Sequence, residues 1–65
     1  LYTDVYFRIQ KDGSMTHLEV KHRCGIRALD MNALRAVQDS SPFPPLPREY
    51  EDEYLVVNLR FEHSQ

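Results

Sequence analysis

Several side chains in this sequence are of types that bind metals or attack substrates, and their spacing decides against each use. His17 and His22 lie an odd number of residues apart, so on one strand they point to opposite faces. His22 and Cys24 share a face, but a pair falls short of the tetrahedral shell of a structural zinc site. Cys24 has no histidine spaced to act as its base, and it reads as a small corner residue. Asp12 is followed by Gly13, which makes turn formation its better use. Glu49, Glu51, Asp52 and Glu53 lack the spaced oxygens and glycine of a calcium loop and read as a solvated acidic stretch. There is no glycine-rich phosphate cradle, no serine elbow and no pair of carboxylates on a rigid element. The residues point to no enzyme, no cofactor and no metal.

Composition narrows the remaining classes. The 65 residues carry 8 Lys+Arg against 10 Asp+Glu, a net charge of -2, which lacks the basic footprint of a nucleic-acid binder. No apolar run approaches the roughly 18 to 20 residues of a membrane span, and no signal peptide is visible. The chain opens on Leu1 rather than Met, which reads as a piece of a longer protein. Residues 1–65 are expected to form a single domain. With one cysteine, no internal disulfide supports it, so the hydrophobic pattern must carry the fold.

That pattern supplies three strands and a helix. Lys11-Asp12-Gly13-Ser14 separates two alternating segments, and Asp-Gly suits a two-residue type I′ turn. Such a turn sets Phe7 against Leu18, Val5 against Val20, Tyr6 against Glu19, Arg8 against His17 and Asp4 against Lys21. Apolar pairs then share one face and polar pairs the other. Leu29, Ala33 and Val37 recur at helical spacing, with Asp30 or the residues just before it as the expected cap. Ser40-Ser41-Pro42 ends the helix, because a residue preceding proline avoids helical geometry. Pro42 to Pro47 must be extended, and Arg48 to Glu53 returns the chain to the sheet. Leu55, Val57, Leu59 and Phe61 alternate with Val56, Asn58, Arg60 and Glu62, the signature of a half-buried strand.

These parts predict an α+β fold of ββαβ order. A three-stranded antiparallel sheet of order 2-1-3 is covered on one face by one helix, which packs on all three strands. The opposite face, with Tyr6, Arg8, Gln10, His17, Glu19, Lys21, Asn58 and Arg60, meets water. Tyr2, Tyr6 and Arg8 belong there as solvated residues rather than as a ligand platform. The last strand is left as an open edge.

In this order and spacing the chain resembles the C-terminal domain of TonB, with TolA as a relative of the same fold. The resemblance rests on Val5-Tyr6-Phe7-Arg8-Ile9-Gln10-Lys11-Asp12-Gly13-Ser14, on Ala28 to Val37, on Ser41-Pro42-Phe43-Pro44-Pro45-Leu46-Pro47, and on the closing strand through Arg60-Phe61-Glu62. It covers nearly the whole chain. Arg23-Cys24-Gly25 departs from the Ser-rich corner frequent in the family, and the usual Tyr-Pro segment ahead of the first strand is missing.

The resemblance implies a periplasmic domain, anchored to the inner membrane of a Gram-negative bacterium through the rest of the protein. It implies a partner peptide from an outer-membrane TonB-dependent receptor, and an ExbB/ExbD-type motor reached through the missing N-terminal part. An exposed strand recruits an extended peptide by main-chain hydrogen bonds. The candidate binding residues are therefore Leu55, Val56, Val57, Asn58, Leu59, Arg60 and Phe61, with Arg60 offered on the open face to an acidic or carbonyl-rich partner. The same edge admits self-pairing into a homodimer. A TolA-like envelope role is the alternative within the fold. From another class, Pro44-Pro45-Leu46-Pro47 resembles polyproline ligands of adaptor modules, a reading that fails if Phe43 and Leu46 are packed against the domain.

Overall fold

A computed structural model describes residues 1–64. Strand β1 runs Tyr2–Gln10, β2 Met15–His22, helix α1 Arg27–Asp39 and β3 Tyr54–Glu62. The sheet is antiparallel with order β2-β1-β3, as the hydrophobic pattern predicts.

The hairpin between β1 and β2 differs from the expected one. Gly13 N–H donates to the Gln10 carbonyl at 2.9 Å, and Gln10 N–H to the Ser14 carbonyl at 2.8 Å. The loop is thus three residues long, with Gly13 at φ +93° closing it. Asp12 does not take a positive φ; its carboxylate accepts from the Ser14 N–H and hydroxyl. This longer loop sets Ile9 against Met15 and Arg8 against Thr16, not His17. Continued unchanged, that register would place Glu19 against Val5 on the core face. A bulge prevents it: His17 takes φ +56°, the chain gains one residue, and Tyr6 meets Glu19 and Val5 meets Val20 as expected. A second irregularity at Lys21 sets Asp4 against His22.

The core is Val5, Phe7, Ile9, Ala33 and Val37, with Leu18, Leu34, Phe43, Leu46, Leu55, Val57 and Phe61 packed around it. Burying each of these β1 side chains contributes roughly 1.5–3 kcal/mol. The helix lies over β1 and β2 rather than over all three strands. Phe43 takes part of the remaining cover, its ring stacked on Phe7 at 5.6 Å between centroids. Phe43 N–H donates to the Gly13 carbonyl and Leu46 N–H to the Lys11 carbonyl. An added Cβ on Gly13 would sit 1.9 Å from the Phe43 carbonyl oxygen, so this clasp needs glycine for space as well as for φ. With both side chains packed and both N–H groups used, the polyproline segment is part of the domain's own packing.

Ile26, not Asp30, occupies the N-cap, and among the described residues no side chain caps the helix. Asp30 instead turns inward. Its Oδ1 accepts from the Thr3 hydroxyl at 2.6 Å and from the Cys24 N–H at 3.0 Å. These bonds hold the Asp30 carboxyl below its ordinary pKa, the Thr3 hydroxyl contributing most. Thr3 is fully buried, and its oxygen also meets His63 Nε2 at 2.9 Å. Since the hydroxyl proton goes to Asp30, the His63 ring nitrogen is the donor in this contact. The network ties the start of the helix and the end of the chain to β1.

Candidate functional site

Strand β3 forms one margin of the sheet, and its pairing with β1 is unbroken over all nine residues from Tyr54 to Glu62. Antiparallel pairs alternate between those that exchange two ladder bonds and those that exchange none. His63 N–H donates to the Leu1 carbonyl at 2.9 Å, which fixes the phase. The pairs Thr3–Phe61, Val5–Leu59, Phe7–Val57 and Ile9–Leu55 are therefore the hydrogen-bonded ones. Val56, Asn58 and Arg60 turn their N–H and C=O groups away from β1, along the outer margin.

The predicted site residues thus divide by face. Leu55, Val57 and Phe61 are half-buried against the core. Leu59 shares their face but stays 41% exposed, because the helix does not reach over it. It lines an apolar groove of about 210 Å³ with Phe7, Ala36, Val37, Phe43 and Phe61. Val56, Asn58 and Arg60 lie on the opposite face beside Arg8, Tyr6 and Asp4 respectively.

Arg60 is engaged within its own chain. Its guanidinium donates to both Asp4 carboxylate oxygens, at 2.9 and 3.3 Å, and lies 4.1 Å from the Tyr2 ring centre. Tyr2 in turn stacks on His22 at 4.1 Å. Arg60 lowers the Asp4 pKa mainly through these hydrogen bonds. Arg8 donates to the Tyr6 hydroxyl and sits 4.5 Å from the Tyr54 ring centre. The cations and aromatics of this face brace the three strands against one another. Sequence reasoning placed Tyr2 on this face only as a solvated residue and did not name Tyr54. Tyr54 carried a signal, since it lies one alternation step before Val56.

The other margin of the sheet contrasts with β3. Strand β2 carries the irregularities at His17 and Lys21, and bulges of this kind spoil an edge as a template for pairing. Only β3 presents a long regular margin among the described residues.

Among the described residues, the remaining polar side chains are engaged with near neighbours. His22 is stacked on Tyr2, His17 Nδ1 contacts the Thr16 hydroxyl, and Cys24 Sγ engages the Ile26 backbone. No group of three His, Cys, Asp or Glu residues among the described residues is placed to hold a metal ion. The Thr3 hydroxyl, fully buried and donating to Asp30, is no nucleophile.

A family model described as TonB C terminal matches residues 1–61. The chain belongs to the TonB C-terminal family. No curated protein and no solved structure gives a significant match. The ββαβ arrangement found here matches the TonB/TolA C-terminal fold, and TonB C-terminal domains are non-catalytic adaptor and energy-transfer domains.

Proposed function

We propose that this TonB C-terminal domain works in the periplasm as the grasping end of an energy transducer. Strand β3 takes up an extended peptide from an outer-membrane TonB-dependent receptor as an added strand. Force from the proton gradient reaches the domain from an ExbB/ExbD-type motor through an inner-membrane-anchored N-terminal part and is passed to the peptide. The supporting observation is the regular β3 margin, with outward main-chain groups at Val56, Asn58 and Arg60, beside a β2 margin broken at His17 and Lys21. Main-chain bonding gives affinity in this mode, and alternate side chains give selectivity. Inward residues of the added strand meet Val57, Leu59 and the apolar groove; outward residues meet Val56, Asn58 and the Arg60–Asp4 pair. Titrating the isotope-labelled chain with a receptor-derived peptide tests this. The amide shifts should concentrate on residues 55–61, and a cluster on α1 instead would refute strand addition.

A further inference from the structure

A second groove lies on the other side of the helix, between α1 and the end of β2. Its volume is about 540 Å³. Val20, Met31 and Leu34 give it apolar walls, and Arg23 and Arg27 stand at its rim. Met31 is 50% exposed, although its neighbours Asp30 and Ala33 are buried. Among the described residues, neither arginine is within ion-pairing distance of a carboxylate; the pairs present are Lys21–Glu19 and Arg60–Asp4. Among the described residues, Asp30 is the one acid that lines the groove, and its Oδ1 is already taken by Thr3 and Cys24. The groove therefore sets two guanidinium groups against one carboxylate, Asp30, whose Oδ1 is taken and on whose charge Arg23 already acts, above an apolar floor.

We propose that this groove is a docking site for an acidic peptide segment, with an apolar side chain seated against Met31, Leu34 and Val20 and its carboxylates paired with Arg23 and Arg27. Charge complementarity selects the anionic partner, since planar guanidinium groups match carboxylates in geometry as well as in sign. A peptide fits better than a membrane surface. Lipid headgroups are read by broad basic faces, and this chain carries a net charge of -2. The site does not depend on strand addition: β2 is irregular where it adjoins the groove, so side chains rather than main-chain ladders do the holding.

The test uses the 65-residue chain and a capped synthetic peptide of about eight residues, long enough to span the groove at about 3.3 Å per residue. The peptide carries aspartates on either side of a phenylalanine, and a control peptide has asparagines in their place. Amide shifts should centre on Val20, Arg23, Arg27, Met31 and Leu34. Arg23→Glu with Arg27→Glu should weaken binding about tenfold or more, and raising salt from about 50 to about 300 mM should weaken it as well. Met31→Gln, at an exposed position that leaves the fold intact, should weaken it about threefold. Val56→Pro should leave it unchanged, which separates this site from the β3 margin. Equal affinity for the asparagine control, or shifts confined to residues 54–62, would overturn the proposal. So would arginine-dependent binding to phosphatidylglycerol vesicles without binding to the peptide. Concentration-dependent shifts in the unmixed protein, joining the groove to residues 49–53, would assign the groove to a second copy and equally overturn it.

Discussion

Proline substitution along β3 separates the two sides of that strand. Val57 lies in a hydrogen-bonded pair with Phe7, so proline there removes a ladder bond beside the most deeply packed aromatic of the core. A domain of this size is stabilised by roughly 0.05–0.15 kcal/mol per residue, or about 3–10 kcal/mol in all. Losing a buried donor and leaving its acceptor unpaired costs about 1–3 kcal/mol, before the ring's steric conflict with the sheet is counted. Val57→Pro should therefore unfold much of the population or lower its melting temperature sharply. At Val56 the N–H points outward and Val56 is 44% exposed, so proline removes no internal bond. The folded state should survive. A peptide added to this margin, however, loses one main-chain bond of about 0.5–1.5 kcal/mol, a rise in Kd of roughly 2- to 12-fold. Calorimetric titration with a receptor-derived peptide, paired with circular dichroism melts of both variants, reads the two effects separately. A folded Val56→Pro variant with unchanged affinity would refute the assignment of the docking margin, and a Val57→Pro variant as stable as the parent would refute the ladder phase derived from His63 and Leu1.

Three further outcomes are expected. Gly13→Ala should lower stability by about 1 kcal/mol for its positive φ and by more for the displaced Phe43 carbonyl, a fall of several degrees in melting temperature; an unchanged melt would remove the clasp as a structural element. Thr3→Val should cost about 1–3 kcal/mol, because Asp30 loses its hydroxyl donor and His63 its acceptor; urea midpoints equal to the parent's would contradict this network. Asp30 and Asp4 have folded pKa values below their unfolded ones, so as the pH drops the unfolded state takes up protons before the folded state does. Their contribution is present above about pH 4 and is lost as pH falls through the lowered folded values; a urea midpoint that stays flat from neutral pH to about pH 2 would contradict it.

The strands were legible in the sequence because alternation is local, and their order followed from the helical crossover between the second and third. Leu55 to Phe61 reads as a strand from its own residues, and Val5 opposite Val20 follows from matching two such patterns. What escaped was set by residues distant in the chain or by backbone geometry without a compositional mark. Nothing about a histidine announces φ +56°, yet the bulge at His17 is what reconciles a three-residue loop with the hydrophobic pairing. Asp30 has the look of a cap by type and position; its true partner, Thr3, lies 27 residues away. The Arg60 side chain reads as open from its neighbours in sequence, and its engagement with Asp4 spans 56 residues. The outer margin itself followed from strand order, whereas which of its residues face outward required one observed hydrogen bond.

The clasp between Gly13 and Phe43 also fixes where the chain can tolerate change. Because Phe43 and Leu46 are moored to the hairpin and β3 to β1, the stretch from Arg48 to Glu53 spans two points that are held independently. Its length is thereby uncoupled from the position of β3. Extra residues spliced in there lengthen a surface loop at little entropic expense, since closure entropy grows only slowly with length. An epitope or fluorophore inserted at Asp52 would report on the protein in living cells without shifting a single pair of the β3 ladder.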